Sequence, residues 1–484
     1  MPAGEDWDRL TGDLSLATLR RHYAAGTLRP ADVVRSIYHR IAASGRDTAW
    51  ITIADETATL RHAEALARQA RPDDLPLYGV PFAVKDNIDV AGLPTTAACP
   101  AFRYLPEASA PAVARLIAAG AICIGKTNLD QFATGLCGIR SPYGAVPSLF
   151  NADYPAGGSS SGSAVVVGAG LVSFALGTDT GGSGRIPGGY NNVVGVKPTL
   201  GLVSLRGVVP NCRSLDTVSV FALTCADGAD VLRIIAGFDP DDPFSRAPPP
   251  EFGRKPSTAA TRFGVPAKAD LTFFGDGEAA ALFQAAIERL RDMGGCVEEI
   301  DFAPFLEAGR MMFEGAWVAE RAVGIGSFLS AHPEAVLPVT RGILETAQRW
   351  RATEAFAQLH RLRALQRMIA RDVWSRVDAL VVPTAATAWS TAEHDHDPIE
   401  CNNSNGHYSY FVNLLDLAAV AVPNGFLPRN GVAMGVTFIA PAWQDGLLSA
   451  LGGRYHAMLG VPPGLAGRSP GRVAEPCITV PQVC

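Results

Sequence analysis

Two clusters rich in serine and glycine are the part of this sequence whose residue types could do chemistry. Residues 157–164 read GGSSSGSA and residues 177–192 read GTDTGGSGRIPGGYNN, with an apolar stretch between them. Glycines beside a serine let a substrate approach the backbone closely and allow consecutive N–H groups to point toward it. Such N–H groups stabilise the oxyanion that forms during acyl transfer. The clusters therefore predict a serine nucleophile in an acyl-transfer site, which also requires a base.

The base is not evident among the nine histidines. His394 and His396, in AEHDHDP, could indicate a metal site, but a third ligand is missing and we expect a solvated polar loop. Ser183 lies in GGSGR, which does not match the G-x-S-x-G pattern of a nucleophile elbow. Lys85 is the best lysine, because it follows the apolar stretch VPFAV, where loss of water favours the neutral amine. Taken alone, Lys85 is more typical of a salt-bridge partner at a strand end.

Helices and apolar strands alternate along the chain and must position these residues. Residues 14–70 carry apolar residues at helical spacing, and residues 77–90 predict a buried strand that ends at the charged KDN. A long helical segment is predicted over 342–378, and residues 411–440 predict a helix and two buried strands. This alternation favours one α/β domain around a largely buried sheet.

The expected domain organisation follows from these elements. We expect an N-terminal helical segment over 1–75, a core over 76–460 with its motif region at 77–200, and an irregular tail over 461–484. A separate C-terminal domain is not expected.

Residues 120–127, GAICIGKT, match the phosphate-binding pattern G-x-x-x-x-G-K-[ST]. A phosphate loop requires a strand, then a glycine loop, then a helix whose N-terminus meets the phosphates. Here Gly120 ends a predicted helix and the four spacer residues are strand formers, so that Lys126 and Thr127 come at a strand end. We therefore expect no nucleotide phosphate site.

Composition narrows the class of protein further. The 484 residues carry a formal net charge of −6, without the clustered Lys and Arg of a nucleic-acid binder. Nine irregularly spaced cysteines include no C-x-x-C, which argues against a zinc site or a redox pair. The N-terminus, MPAGEDWDRL, lacks the apolar core of a signal peptide, and no stretch approaches the roughly 20 apolar residues of a membrane span. We expect a cytoplasmic protein that binds neither nucleic acid nor a membrane.

The stretches GGSSSGSAVVV and LGTDTGGSGRIPGGYNNVVGVKPT resemble the amidase signature family. PLYGVPFAVKDNIDVAGLPTTA and GAICIGKTNLDQFATGL match its flanking segments in the same order, and the resemblance covers about residues 14–460. It implies a single large α/β domain whose mixed, twisted central β-sheet is covered by helices. It also implies an amidohydrolase that requires neither a metal nor an organic cofactor.

The resemblance further implies a Ser–Ser–Lys triad. Ser183 is the expected nucleophile, Ser159 is the bridging residue after a cis peptide bond, and Lys85 is the base. The expected reaction cleaves a C–N bond through an acyl-enzyme, with the proton passing from Ser183 through Ser159 to Lys85. The oxyanion would be held by the backbone N–H groups of Thr180, Gly181, Gly182 and Ser183.

Within the family, WVAER (317–321), DPDDPFSR (239–246) and YFVNLLDLAAVAVP (410–423) are similar to the amidase domain of allophanate hydrolases, which act on a carboxylated urea. That similarity assigns Arg321 to a substrate carboxylate, which suits its planar guanidinium group; a structural salt bridge is the alternative. The sequence departs from the pattern at Phe313, where a tyrosine is expected, at Tyr190, where phenylalanine is usual, and at Ile139, where threonine is customary.

These departures, with Gly181, Gly188 and Gly189 in place of alanines, predict a larger and more apolar pocket. They leave open a urethanase acting on bulkier carbamates, or a broad-specificity hydrolase of aryl amides. An enzyme that works on charged tRNA together with partner proteins and a non-catalytic amidase-like binding protein are more distant alternatives. By resemblance we expect a small-molecule amide or carbamate substrate and a homodimer.

Overall fold

The computed structural model describes residues 13–253, 258 and 261–465. The predicted tail over 461–484 therefore lies mostly outside the described residues. In chain order the strands of the described residues are β1 (Trp50–Ile53), β2 (Pro81–Lys85), β3 (Ile122–Thr127), β4 (Phe174–Asp179), β5 (Val194–Lys197), β6 (Thr217–Ala222), β7 (Arg262–Pro266), β8 (Cys296–Ile300), β9 (Ala379–Pro383), β10 (Leu417–Phe426) and β11 (Ala433–Pro441).

Helices flank these strands throughout the described chain. They are α1 (Leu16–Ala24), α2 (Pro30–Ala43), α3 (Glu56–Gln69), α4 (Pro111–Ala118), α5 (Ser161–Gly168), α6 (Ile186–Tyr190), α7 (Cys225–Ile235), α8 (Gly277–Asp292), α9 (Ala303–Glu314), α10 (Trp317–Ala331), α11 (Pro338–Glu345), α12 (Ala352–Asp372), α13 (Thr391–His396), α14 (Glu400–Asn405), α15 (Phe411–Leu414) and α16 (Asp445–Leu459). Within these described residues, no helix is both long and apolar enough to cross a membrane.

All eleven described strands join one mixed sheet in the order β1-β3-β2-β4-β6-β5-β10-β11-β9-β7-β8. Strand β2 runs parallel to both of its neighbours, β3 and β4, whereas β10 runs antiparallel to β5 and β11. The expectation of a single α/β domain with a mixed central sheet is confirmed. The parallel arrangement places the carboxyl end of β2 beside the carboxyl end of β4, where the predicted base and nucleophile lie.

The sheet is buried on both faces. Along β9, Ala379 and Val381 pack into one hydrophobic cluster, while Leu380 and Val382 pack into a second cluster on the other face. This alternation is the period of two that a strand imposes on its side chains. Both faces must therefore be apolar, which explains why the strands read as continuous apolar runs in the sequence.

Two sequence predictions differ from the structure. Residues 14–70 form three helices but also contain β1, which pairs with β3 at the edge of the sheet, so this segment contributes a strand as well as helices. The long helical segment predicted over 342–378 is divided into α11 and α12. The division occurs because α12 has its own N-cap, where the Glu354 carboxylate accepts a hydrogen bond from the Arg351 amide at 2.8 Å.

Candidate active site

Lys85 is the last residue of β2, and its side chain is fully buried. Its Nζ atom lies 2.7 Å from Ser159 Oγ and 2.8 Å from Thr178 Oγ1. Burial lowers the pKa of Lys85 to about 7, although three nearby carboxylates act to raise it. The hydrogen-bond partners of Lys85 are thus hydroxyl groups, where the salt-bridge alternative would have required a carboxylate.

Ser159 precedes α5, and the peptide bond between Gly158 and Ser159 is cis, as the resemblance implied. Every residue of α5 is buried, which explains why its sequence is apolar on all sides. Two further serines attach the start of this helix to β4: Ser160 Oγ donates to the Thr178 carbonyl at 3.1 Å, and Ser163 Oγ donates to the Leu176 carbonyl at 3.0 Å. These contacts hold Ser159 beside Lys85.

The loop after β4, residues 180–185, carries Ser183 and is called the nucleophile loop below; a buried ion pair holds it in place. Nε and Nη2 of Arg185 donate to the two carboxylate oxygens of Asp179 at 2.8 and 2.9 Å. Burial acts to raise the pKa of Asp179, but the charge and hydrogen bonds of Arg185 outweigh it and lower this pKa below its usual value. The same carboxylate accepts from the amides of Gly182 and Gly184, on either side of Ser183, at 2.9 and 3.0 Å. Asp179 therefore shapes the turn that presents Ser183.

The Ser183 hydroxyl forms no hydrogen bond within the described part of the chain, and the side chain is 4% exposed. The structure therefore places Ser183 and Ser159 at the ends of neighbouring segments without a hydrogen bond between their hydroxyl groups. Of the four amides that the resemblance assigned to the oxyanion, that of Gly182 donates to the Asp179 carboxylate. The amides of Thr180, Gly181 and Ser183 have no acceptor among the residues described. Three amides, rather than four, are free to bind an oxyanion.

Thr180 is anchored from outside this loop by Asp216. Its hydroxyl donates to Asp216 Oδ1 at 2.5 Å, and Asp216 also accepts from the amides of Asn211 at 2.9 Å and Cys212 at 3.2 Å. Burial raises the pKa of Asp216 to about 6. The segment over 211–216 thus fixes the first residue of the nucleophile loop.

Two residues in the segment before β10, Ser409 and Asn413, orient carbonyl groups at this loop. Ser409 Oγ donates to the Gly181 carbonyl at 2.7 Å. Asn413 Nδ2 donates to the carbonyls of Asp179 at 2.9 Å and Leu215 at 2.8 Å. Because a trans peptide unit is planar, fixing the Asp179 carbonyl also fixes the direction of the following N–H group, that of Thr180.

Arg321, in α10, is a buried cation without a counter-ion in the described chain. The residue is 4% exposed, and its Nε atom has no hydrogen-bond partner. Its guanidinium carbon lies 4.8 Å from the centre of the Phe313 ring, and that ring packs against Tyr410 with 4.2 Å between centroids. Burial lowers the pKa of Arg321, yet a guanidinium keeps its proton in proteins. The salt-bridge alternative is therefore not realised among the described residues, and the charge is available to an anion.

Tyr190 and Ile139 were the other predicted pocket residues. The Tyr190 hydroxyl donates to the Thr387 carbonyl at 2.5 Å and lies 3.0 Å from Asn405 Oδ1, so its polar end is already satisfied in the core. Burial raises the pKa of Tyr190, which keeps the phenol neutral. Ile139 is partly buried in the loop between β3 and α5.

The three glycines that stand where alanines are usual serve different purposes. A Cβ atom at Gly188 would lie 3.2 Å from the Gly195 amide nitrogen in β5, and one at Gly189 would lie 3.1 Å from Thr384 Cγ2. Both positions therefore allow α6 to pack closely on the sheet and add no space to a pocket. A Cβ at Gly181 would lie 3.1 Å from the Tyr410 ring, so only this glycine adjoins the aromatic pair beside Arg321.

Comparisons with known proteins identify the family of this chain. The Amidase family matches residues 32–448. The chain is 44% identical over 412 residues to urea amidolyase of Saccharomyces cerevisiae, covering 84% of this chain and 22% of the yeast protein. It is 43% identical over 412 residues to urea amidolyase of Lachancea kluyveri, again covering 84% of this chain and 22% of that protein. The structure of Kluyveromyces lactis allophanate hydrolase superposes with a TM-score of 0.86 at 38% identity, covering 94% of this chain and 74% of that one.

The chain belongs to the amidase family. It spans about a fifth of the length of the curated urea amidolyases that it matches. This amidase is an amidohydrolase by family. The homodimer and the cytoplasmic location expected from the sequence remain predictions.

Sequence reasoning missed Asp130, which supports the bridging serine. Its carboxylate accepts hydrogen bonds from the amides of Gly138 and Arg140, and its own amide donates to the Ser159 carbonyl at 3.1 Å. It also lies so close to Gly158 that no Cβ atom would fit there. An acidic residue three positions after the end of a buried strand, as in KTNLD, was the signal that could have identified it.

The expectation of a solvated loop at AEHDHDP is wrong in two respects, because both histidines lie in the helix α13 and only one of them is exposed. His394 lies in α13 and is 1% exposed, whereas His396 is exposed. Burial lowers the pKa of His394 to about 4, so the ring is neutral. No group of three or more His, Cys, Asp or Glu side chains that could hold a metal occurs among the residues that the structure describes.

Proposed function

We propose that this amidase hydrolyses C–N bonds through a relay of Ser183, Ser159 and Lys85 and a covalent acyl-enzyme. The observation that carries the proposal is the fully buried Lys85 amine, 2.7 Å from the Ser159 hydroxyl. An amine with a pKa of about 7 exists partly in its neutral form near neutral pH, and only the neutral form can accept a proton.

The proposed reaction begins with proton transfer along the relay. Neutral Lys85 accepts the proton of Ser159, Ser159 takes that of Ser183, and Ser183 Oγ forms a bond to the substrate carbonyl carbon. The C–N bond then breaks, and the leaving nitrogen receives the proton back through Ser159. Water attacks the acyl-enzyme by the same relay and releases the acid. The step requires the two serine hydroxyls to approach each other, as catalytic hydrogen bonds do when substrate binds.

The developing oxyanion is proposed to bind the free amides of Thr180, Gly181 and Ser183. Donors that are held in place before the reaction stabilise the transition state without reorganising. The Gly182 amide contributes indirectly, because its hydrogen bond to Asp179 holds the turn. Asp216, Ser409 and Asn413 support the same loop from outside.

We further propose that the substrate is small and carries a carboxylate, as allophanate does. A buried guanidinium without an anion is costly, and a substrate carboxylate would supply the missing charge-assisted hydrogen bonds. Arg321 is such a group. The similarity to urea amidolyase and to allophanate hydrolase supports this choice.

A urethanase acting on bulkier, apolar carbamates is the second candidate, and Phe313 is the observation in its favour. The Phe313 ring lacks the hydroxyl that would bind a polar substrate. However, the ring is packed between the Arg321 guanidinium and Tyr410. It therefore fills space beside the cation, and Gly188 and Gly189 provide none, which favours the smaller carboxylated substrate.

The test compares ammonia release from allophanate with amine release from an aryl carbamate. A kcat/KM at least tenfold higher for allophanate is expected. Turnover of the carbamate with little on allophanate would contradict the carboxylated substrate while retaining the relay. Turnover of neither would point to the non-catalytic alternative.

Two variants make this test specific. Ser183→Ala is the blank and should abolish turnover on both substrates while circular dichroism shows an intact fold. Ser161→Ala is the matched control, because this buried serine lies in the cluster that contains Ser159 and has an Oγ atom without a hydrogen-bond partner in the described chain. It should retain activity close to that of the unmodified enzyme. Equal losses in both variants would show that the site responds to the loss of any buried serine hydroxyl, and would contradict a specific role for Ser183.

A further inference from the structure

A cavity adjoins the residues that hold the nucleophile loop from outside. Its volume is about 390 Å³, within the range of small-molecule sites, and neither the relay residues nor Arg321 line it. Leu215, Asp216 and Asn413 line one side of the cavity, and Arg213, Arg246 and Arg363 bring positive charge to it.

Two of these arginines, Arg213 and Arg363, donate few hydrogen bonds to other described residues of the protein. The Arg213 guanidinium donates no hydrogen bond within the described chain, and its Nε atom is buried. Its side chain is 40% exposed and forms a long ion pair, at 3.7 Å, with Asp242, whose carboxylate already accepts from the amides of Leu205 and Phe244. Arg363 donates to the Gln366 side chain at 2.9 Å and forms no ion pair with any described residue.

The third arginine, Arg246, is paired with a carboxylate of the protein. Both oxygens of the Asp416 carboxylate accept from Arg246 Nη1, at 2.7 and 2.9 Å, and the guanidinium stacks on Trp443. The cationic character of the cavity therefore depends on Arg213 and Arg363. Arginine binds carboxylates and phosphates through pairs of hydrogen bonds, so the shape of the remaining walls must distinguish the two.

Apolar side chains also line the cavity, together with the polar Ser214, Gln366 and Asp416. Leu205, Phe244, Trp317, Leu362 and Leu414 line the cavity between the arginines. A ligand that places a carboxylate at Arg213 would therefore lay an apolar body against rings and leucines. A phosphate or another small inorganic anion would leave these walls uncovered.

Two residues that line the cavity also hold the nucleophile loop. Asp216 accepts from the Thr180 hydroxyl, and Asn413 donates to the carbonyls of Asp179 and Leu215. A ligand that contacts Asp216 or Asn413 is thus one residue away from the proposed oxyanion site. Binding there and catalysis must affect one another if contacts to these groups change.

We propose that this cavity is an effector site for a small carboxylate with an apolar body. The arginines would bind the carboxylate, the leucines and rings would bind the body, and the contacts to Asp216 and Asn413 would transmit occupancy to the nucleophile loop. The proposal does not depend on which amide the enzyme hydrolyses.

Calorimetric titration of the full chain with 3-phenylpropionate tests binding, and the neutral 3-phenylpropanol is the comparison ligand. The acid should bind, and both the alcohol and the Arg213→Gln variant should bind about tenfold more weakly, because a charged hydrogen bond is lost. Arg363→Gln, at an exposed position, should also weaken binding, which keeps the test valid if Arg213→Gln does not fold. Arg310→Gln is the matched control, since this exposed arginine lines a different cavity and should leave binding unchanged.

A second variant separates this site from the substrate pocket. Arg321→Met should bind the probe as the unmodified protein does. Loss of binding in Arg321→Met with retention in Arg213→Gln would place the probe in the substrate pocket and overturn the proposal, as would absence of binding. At saturating probe, kcat should change at least twofold with KM constant. A rise in KM alone would indicate competition with substrate, and an unchanged kcat would refute the effector role.

Discussion

In the proposed relay, the pKa of Lys85 sets how kcat/KM depends on pH. With a pKa of about 7, about one-tenth of the Lys85 side chains are neutral at pH 6 and about nine-tenths at pH 8. Because the neutral amine is the proposed base, kcat/KM should rise about tenfold over this interval and level off above it. Replacement by alanine should remove the base and reduce kcat/KM by about 10²- to 10⁴-fold.

A neighbouring carboxylate allows the assignment to be tested without removing the lysine. The negative charge of Asp216 raises the pKa of Lys85. Asp216→Asn removes that charge and should therefore lower the pKa, which shifts the midpoint of the pH profile to more acidic values. The position of the midpoint is the readout, since loss of the contact to Thr180 will also reduce the plateau.

The assay is kcat/KM for ammonia release, measured from pH 5 to 9 at constant ionic strength, with circular dichroism to verify the fold at each pH. This parameter reports on groups of the free enzyme. A profile that is flat from pH 6 to 9 would exclude Lys85 as the base. A midpoint that moves to higher pH in Asp216→Asn would refute the electrostatic argument.

Three further changes test other parts of the site. Arg321→Met should raise KM for a carboxylated substrate at least about tenfold, because charged hydrogen bonds to the substrate are lost. The melting temperature measured by calorimetry should be no lower than that of the unmodified protein, because an unpaired buried charge is removed. Gly182→Ala should abolish measurable turnover, since Gly182 has φ of +140° and a Cβ atom there would meet Ser409 Oγ. Lys126→Met should lower the free energy of unfolding in urea by about 3–5 kcal/mol, because it leaves Asp86 buried without its ion-pair partner, 3.1 Å away. The first argument is contradicted if Arg321→Met raises KM less for the carboxylated substrate than for a neutral amide. Normal turnover of Gly182→Ala would contradict the second, and unchanged urea unfolding of Lys126→Met would contradict the third.

Local patterns were sufficient for several elements of the fold. The apolar stretch VPFAVK predicted a buried strand, and β2 ends at Lys85 as expected. At GAICIGKT the predicted order of helix and strand is confirmed, because its last six residues are β3 and Gly120 follows α4. These predictions succeeded because they depend on strand and helix periodicities, which neighbouring residues determine.

Sequence patterns failed where contacts between residues distant in sequence determine the secondary structure or the burial of a residue. The β1 strand was missed because four residues are too short to show a period, and only pairing with β3 makes them a strand. His394 was expected in solvent because its neighbours are charged, yet one face of α13 is turned into the protein. Gly188 and Gly189 were interpreted as pocket residues, whereas the contacts of their missing Cβ atoms lie in the sheet.

The sequence by itself determined the fold class and the family, because the two serine clusters and the lysine segment are contiguous motifs in a set order. It also supplied candidate groups for the chemistry: Ser183, Ser159 and Lys85. What only the tertiary structure decided is the state of those groups. The pKa of Lys85 depends on complete burial beside distant carboxylates, and the number of free amides depends on the hydrogen bond from Gly182 to Asp179. The isolation of Arg321 likewise depends on which side chains fail to reach it, since burial and charge pairing are properties of the folded surroundings and not of neighbours in sequence.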